Sequence, residues 1–350
     1  MGIWVLGAAG RVGRAVTTAL LDRGESVVLV GREIERLREL AATTGLPVVI
    51  ADGAEAIASA IGEQRPAVVV NTTGGYAESA ITVARACLPG GHYLDQAADL
   101  TAVSRLLALH DEAAAASSTL VTGAGFGVLA TEAVVAKLCE DRPVPAQVRV
   151  DALASVAVED GLLGAALAAS ILDVLVTGGR RFRHGAMTRS RIGAGSARLA
   201  LPDGEQVAVS EAPSAELLAA QLASGAPNVI AATAMMPASP AARAVLPLAG
   251  RLLALEPVRR FAVGRLAGVR GKAAPRPRTH SWGHAEVTWA DGTTREGWLK
   301  AGDGMDFTAA VSAEVAARLA RGEGKPGAYT PAAAFGPGLA TAAGGEFLVS

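Results

Sequence analysis

"IWVLGAAGRVGRAV", Ile3 to Val16, sets the reading of the first third of the chain. An apolar run leads into Gly7-Ala8-Ala9-Gly10-Arg11-Val12-Gly13, and a segment of helical periodicity follows. Glycine fills 41 of 350 positions, so chance spacings are common and the motif counts only through its context. Here a strand precedes it and a helix follows it, at the start of a βαβ unit. Gly7 would permit the tight turn, Gly10 a close approach of backbone to a pyrophosphate, and Gly13 close packing of helix on strand. The helix N-terminus adds N–H groups and a positive dipole end. The spacing is GxxGxxG and not the commoner GxGxxG, so the nucleotide-binding reading leans on the strands beyond it.

Those strands are present. Short apolar runs alternate with helical segments through "SVVLVG", "PVVIA", "AVVVN", "HYLDQA" and "STLVTGAG". Continuous apolar strands separated by helices imply a parallel sheet covered on both faces. The expected class is α/β, with an N-terminal Rossmann-type doubly wound parallel sheet. Beyond Phe126 the pattern changes. "AQVRVDALASVAV" alternates in part, and Gly161 to Gly179 reads as a buried helix. "HAEVTWADGTTREGWLKAG" reads as a hairpin turning at Asp291-Gly292. These features predict a second, α+β domain on a mostly antiparallel sheet. The expected division is residues 1–126 for the nucleotide domain and 127–328 for a substrate or dimerisation domain. Residues 329–350 are then expected to return to the nucleotide domain.

Composition excludes several classes. The formal net charge is -1 and the charges are dispersed, which speaks against nucleic acid or a membrane as partner. Cys87 and Cys139 give neither a disulfide framework nor metal-ligand spacing. The most apolar stretch, Gly161–Gly179, is interrupted by Asp173 and falls short of the ~20 residues that span a bilayer. Met1–Gly7 lacks the basic region of a signal peptide and reads directly as a strand, so a cytoplasmic location is the expectation.

The tip of the second strand selects the nucleotide. "SVVLVGRE" ends in Gly31 and Arg32, with no carboxylate to take ribose hydroxyls. A guanidinium suits a 2′-phosphate, so NADP(H) is favoured over NAD(H).

Beyond the glycine loop, the chain resembles the saccharopine dehydrogenase-like oxidoreductases, in particular the branch with trans-acting enoyl reductases. "VVNTTGGYAE" is similar to the family's fourth-strand loop. "ARACLPGGHYLDQAAD" and "HDEAAAASSTLVTGAGF" resemble the next two strand segments. "GAALAASILDVLVTGGRRFRHG", "SGAPNVIAATAMMP" and "GEGKPGAYTPAAAFGPGLA" resemble segments of its second half. The resemblance implies a two-domain reductase of C=C or C=N bonds, acting on a small-molecule or carrier-bound substrate. It also implies cofactor contacts at Gly7, Ala9, Gly10, Arg11, Val12, Gly13, Gly31, Arg32, Asn71, Thr72, Thr73, Gly74, Asp95 and Gly123. Many relatives carry Asp and then Pro after the Gly-Phe turn, where this chain has Gly127 and Ala130. A Gly-Tyr before the last long helix is here Gly304-Met305. Both departures point to a more apolar substrate or to altered chemistry. A homodimer is among the assemblies open to such a chain.

A hydride donor needs placement, polarisation and a proton from the protein. Tyr76 is the first candidate proton donor and Asp95 the second; packing on the nucleotide and helix capping are their alternative roles. Substrate is expected in a cleft between the domains, walled by Asn71–Tyr76, Asp95, Gln96, Gly123–Phe126 and a helix start at Gly161, with Asp160 just before it. His280 and His284, four apart, read mainly as strand residues. Two other functions stay open: a non-catalytic NADP(H)-binding sensor, and a non-redox isomerase or cyclase on the same fold.

Overall fold

The computed structural model describes residues 2–157, 161, 162, 168, 172, 176–191, 193–234 and 250–349. In the first part, strands β1 (Ile3–Leu6), β2 (Val27–Gly31), β3 (Val48–Ile50), β4 (Val68–Asn71), β5 (His92–Asp95) and β6 (Thr119–Val121) alternate with helices. These helices are α1 (Arg11–Leu21), α2 (Ile34–Thr44), α3 (Gly53–Gln64), α4 (Tyr76–Ala86), α5 (Leu100–Leu107) and α6 (His110–Ala115). Next come α7 (Phe126–Cys139), β7 (Gln147–Leu153), β8 (Gly161–Leu162), β9 (Gly179–Arg183), β10 (Ala186–Ser190), β11 (Ala197–Ala200) and β12 (Gln206–Glu211). Then follow α8 (Ala215–Ser224), β13 (Asn228–Thr233), α9 (Glu256–Ala267), β14 (Arg270–Gly271), β15 (Ser281–Thr288) and β16 (Thr294–Ala301). The chain ends with α10 (Gly304–Ala320), β17 (Gly327–Tyr329), α11 (Pro331–Phe335), α12 (Gly338–Ala342) and β18 (Glu346–Val349).

The first sheet has seven parallel strands in the order β17-β6-β5-β4-β1-β2-β3. Its central strands β1 and β4 are buried at every residue, as expected for a sheet covered on both faces. α1 buries Gly13, Val16, Thr17 and Leu20, one helical stripe. On one face the core gathers Trp4, Leu6, Val69, Tyr93, Leu120 and Ala328 with residues of α3 and α4. The helical segment between β5 and β6 is two helices, α5 and α6, because the chain turns at Leu109 and buries that side chain with Leu106.

The second sheet is mixed and mostly antiparallel, in the order β10-β9-β13-β7-β15-β16-β18, with β12 on β13 and β11 on β12. Only the β13–β7 pairing among these is parallel. β15 and β16 form the expected hairpin, but its loop is longer than a two-residue turn. Trp289 N–H donates to the Thr293 carbonyl, and the Asp291 carboxylate accepts from Thr293 N–H. α7 lies directly on this sheet: a Cβ on Gly283 would stand 2.6 Å from the Ala130 Cβ.

Two expectations need correction. The chain forms two compact units, residues 1–129 with 305–344, and residues 130–304 with 345–350. The division expected at 328/329 therefore falls at 304/305, because α10 is tied to the loops of the parallel sheet. The last residues join the second unit, because β18 pairs with β16. Likewise, Gly161 does not start a helix: Gly161 and Leu162 are paired with Gly271 and Arg270 in a short ladder. Ala168 and Leu172 are helical and buried; Asp160 and most of the expected helix lie outside the described residues. Among the described residues no helix is long and apolar enough to cross a membrane.

Candidate nucleotide site at the carboxyl edge of the parallel sheet

The strand order makes β1 and β4 neighbours from which successive connections run in opposite directions. Leu6 is in register with Val30 on one side and Asn71 on the other. The loops after β1 and β4 therefore leave the sheet side by side, which is where open parallel sheets bind ligands.

Each glycine of the first loop has its own reason. Gly7 turns at φ +74°, donates its N–H to the Val30 carbonyl at 2.9 Å and accepts from Gly10 N–H at 2.9 Å. A Cβ on Gly7 would lie 3.0 Å from Thr72 Oγ1 in the neighbouring loop. Gly10 caps α1 without any side-chain hydrogen bond, so the first-turn amides meet no competing cap. A Cβ on Gly13 would stand 2.2 Å from the Gly7 carbonyl oxygen, so helix and loop touch backbone to backbone. The loop is thus a cradle that side chains would fill, and it fits a pyrophosphate.

At the tip of β2, Arg32 is exposed and makes no hydrogen bond or ion pair among the described residues. Arg36, in the first turn of α2, reaches back to the Ala9 carbonyl at 3.4 Å and pairs with Glu33 at 2.9 Å. That hydrogen bond and the Arg36 charge hold the Glu33 carboxyl below its ordinary value. Arg14 likewise donates to the Ala9 carbonyl, so guanidinium groups of both α1 and α2 reach the glycine loop; of Arg32 and Arg36, sequence reading had named only Arg32. The available signal was position: Arg36 follows Arg32 by four residues, where a helix begins.

The second loop rests on a buried polar chain. Asn71 Oδ1 accepts from Thr73 N–H at 3.1 Å and Thr73 Oγ1 at 2.7 Å, and its Nδ2 donates to the Tyr93 hydroxyl at 3.0 Å. The Tyr93 hydroxyl donates to Asp95 Oδ2 at 3.1 Å. Asp95 Oδ1 accepts from Ala97 N–H, Thr122 Oγ1 and Gly123 N–H at 3.0, 2.8 and 3.2 Å. One network thus ties the ends of β4, β5 and β6 together. Burial raises the Asp95 carboxyl above its ordinary value, although these donors pull the other way. Thr72 Oγ1 donates to the Leu6 carbonyl at 2.7 Å, locking this loop to β1.

The predicted site residues separate into two groups. Ala9, Gly10, Arg11, Val12, Gly31, Arg32 and Thr72–Gly74 reach the surface around the loops. Asn71, Asp95 and Gly123 lie beneath it. Asp95 is 0% exposed with both oxygens engaged, so the expected acid/base role does not fit; it fixes the loops instead. Tyr76 is half-buried, and its hydroxyl donates to the Asn71 carbonyl at 3.2 Å. Burial, reinforced by the Asp95 charge, pushes this phenol far above its ordinary value. The expected proton donor is thus turned inward, because the first turn of α4 packs it on the core.

Gln96 Nε2 donates to Ser312 Oγ at 2.8 Å, and that hydroxyl donates to the Ala124 carbonyl at 2.9 Å. Phe126 N–H donates to Thr308 Oγ1 at 3.1 Å, and the Phe126 ring meets Phe307 edge-on. Gln96 and the Gly123–Phe126 loop are therefore held by α10. In the second unit His284 is buried, with Nδ1 2.9 Å from Asp151 and Nε2 3.0 Å from Glu296, while Arg149 grips Asp151 with two hydrogen bonds. This is an internal ion network. Among the described residues no group of three or more His, Cys, Asp or Glu could hold a metal ion.

Residues 3–121 match the family model "Saccharopine dehydrogenase NADP binding domain", so the nucleotide of this cradle is NADP(H). Among solved structures, apo saccharopine dehydrogenase (L-Glu forming) from Saccharomyces cerevisiae is similar at 14% identity and a TM-score of 0.60, over 99% of each chain. A probable dehydrogenase from Thermotoga maritima matches at 12% identity and a TM-score of 0.47, over 98% of this chain and 94% of that one. Serine dehydrogenase from Escherichia coli matches at 19% identity and a TM-score of 0.30, over 35% of this chain and 81% of that one. The likeness to the Saccharomyces enzyme is one of fold. No curated protein sequence matches the chain.

Proposed function

We propose that this chain is an NADPH-dependent oxidoreductase reducing a C=C or C=N bond of a small-molecule or carrier-bound substrate, on the enoyl reductase side of the saccharopine dehydrogenase-like group. The observation that carries the reading is the pair Arg32 and Arg36 beside the glycine cradle, with no carboxylate at the tip of β2, in a fold shared with a dehydrogenase. When bound, NADPH supplies the hydride. Gly7, Gly10, Gly13 and the first amides of α1 hold the pyrophosphate, and Arg32 and Arg36 hold the 2′-phosphate. Thr72, Thr73 and Gly74 border the crevice. The Asn71–Tyr93–Asp95 chain keeps that border rigid, which limits the geometric spread of the reacting groups. The test is a fluorescence titration with NADPH and NADH, followed by NADPH oxidation against panels of enoyl thioesters and imines. Preference for NADPH and oxidation with one panel are expected. Equal affinity for the two nucleotides would overturn the reading.

A second reading, an NADP(H)-binding sensor or a non-redox isomerase or cyclase, draws on one observation. Both groups expected to handle a proton, Tyr76 and Asp95, are bonded inward. A sensor binds NADPH and leaves it unoxidised whichever acceptor is offered. An isomerase or cyclase converts its ligand without consuming the nucleotide.

A further inference from the structure

The even charge balance of the chain conceals one local excess. Residues 251–278 hold eight of its 32 basic residues against a single acid, Glu256. Six of these cations are exposed: Arg251, Arg260, Arg265, Arg270, Lys272 and Arg276. The acid is already paired with Arg260 at 2.8 Å. The same stretch concentrates exposed apolar side chains. Leu252, Leu255, Val258, Phe261 and Val269 are five of the 13 large apolar side chains exposed among the described residues.

The arrangement on α9 is ordered. Arg259, Ala262, Val263, Leu266 and Ala267 are half-buried and make the inner face. Val258, Phe261 and Arg265, spaced three or four apart, stand on the outer one, and exposed Leu255 lies just before the first turn. Phe261 is 69% exposed, and no residue of α9 is fully buried. Ordinary surface helices turn charge outward and apolar groups inward. Here Val258 and Phe261 stand outward beside Arg260 and Arg265, so apolar and cationic side chains share one exposed surface, a combination that a lipid–water interface accommodates.

From this surface we infer a peripheral membrane-binding site: α9 and its flanks dock on an anionic phospholipid bilayer, with Leu255, Val258 and Phe261 entering the acyl boundary and the exposed cations meeting lipid phosphates. Charge complementarity selects the occupant, because the patch is cationic and its apolar groups stand singly on a convex helix. A fluid interface accepts such side chains one by one, whereas a protein partner must bring a matching pocket for each. Nucleic acid would use the arginines and leave Phe261 and Val258 in water.

The test is flotation of the full chain with vesicles of phosphatidylcholine alone, or of an equimolar mixture with phosphatidylglycerol, at low and at high salt. Flotation is expected with the mixed vesicles only, and high salt weakens it. The double substitution Val258→Ser and Phe261→Ser should lower partitioning by about 10-fold or more. The triple reversal Arg265→Glu, Lys272→Glu and Arg276→Glu should lower it by about 10²-fold or more. Both variants change exposed groups, so their thermal melts and NADPH titrations should match wild type, which separates lost docking from lost folding. Absence of flotation with mixed vesicles, or flotation unchanged in both variants, overturns the inference. So does a dimer in sedimentation that Phe261→Ser splits, since the face then belongs to a second copy.

Discussion

A methyl group on Gly13 would stand 2.2 Å from the Gly7 carbonyl oxygen and 2.8 Å from the Ala8 Cα, and both are backbone atoms with little room to retreat. Gly13→Ala should therefore destabilise the chain by about 1–3 kcal/mol and weaken NADPH binding together with it, read by urea melts and fluorescence titration. Arg32 and Arg36 act on the other end of the nucleotide. Removing either should cost about 1.5–3 kcal/mol of NADPH affinity and leave NADH affinity unchanged, so the NADPH:NADH ratio is the measurement that matters. Tyr76→Phe deletes one hydrogen bond to the Asn71 carbonyl. Its expected cost is about 0.5–1.5 kcal/mol of stability, with turnover lowered less than tenfold, where loss of a general acid would cost about 10²–10⁴-fold. A drop within that larger range would restore Tyr76 as proton donor. At this scale the glycine turn was legible, because spacing and residue type carry its physics. The burial of Asp95 was not legible, because it depends on Tyr93, Thr122 and Gly123, which come from different stretches of chain.

Helices with one wet face were readable, and a helix without one was not. α1 declares itself through buried Gly13, Val16, Thr17 and Leu20 against exposed positions between them. α7 is buried at nearly every position from Phe126 to Leu138, so it shows no periodicity, and the pattern there read only as a change. The outer face of α9 escaped notice for a different reason: its charges look unremarkable until the fold places them around exposed apolar groups. In the second sheet, β7 and β15 bring Asp151 opposite His284 in register. Burial raises the Asp151 carboxyl, but hydrogen bonds from His284 and Arg149 and their charges outweigh it, and the net value is lowered. Its contribution to stability is therefore full above the ordinary carboxylate value of about 4 and is lost as pH falls through the lower folded-state value. Asp151→Asn should cost about 3–5 kcal/mol at neutral pH. The gap to wild type should close below about pH 4, measured as urea stability against pH.

The chain passes between its two units at 129/130, 304/305 and 344/345. The nucleotide unit is consequently incomplete without its distant third part. A fragment of residues 1–129 lacks Thr308 and Ser312, which hold Phe126, Ala124 and Gln96, and lacks β17 at the sheet edge beside β6. It should unfold without a sharp transition and fail to bind NADPH, while addition of residues 305–344 should restore both, followed by circular dichroism and titration. Cooperative unfolding of 1–129 with native affinity would refute that dependence. The sequence alone determined the doubly wound first sheet, the glycine cradle, the NADP(H) assignment and the largely antiparallel second sheet. Each of these is written in local patterns: strand and helix periods, a turn that only glycine fits, a missing carboxylate. Tertiary structure alone decided where α10 and β17 belong, that Asn71, Tyr93 and Asp95 form one buried network, and that Tyr76 faces inward. It also decided that α9 turns apolar groups and arginines outward together. The physical reason is common to all of them: they are matters of burial and pairing between residues far apart in sequence, and no local period records what will be covered.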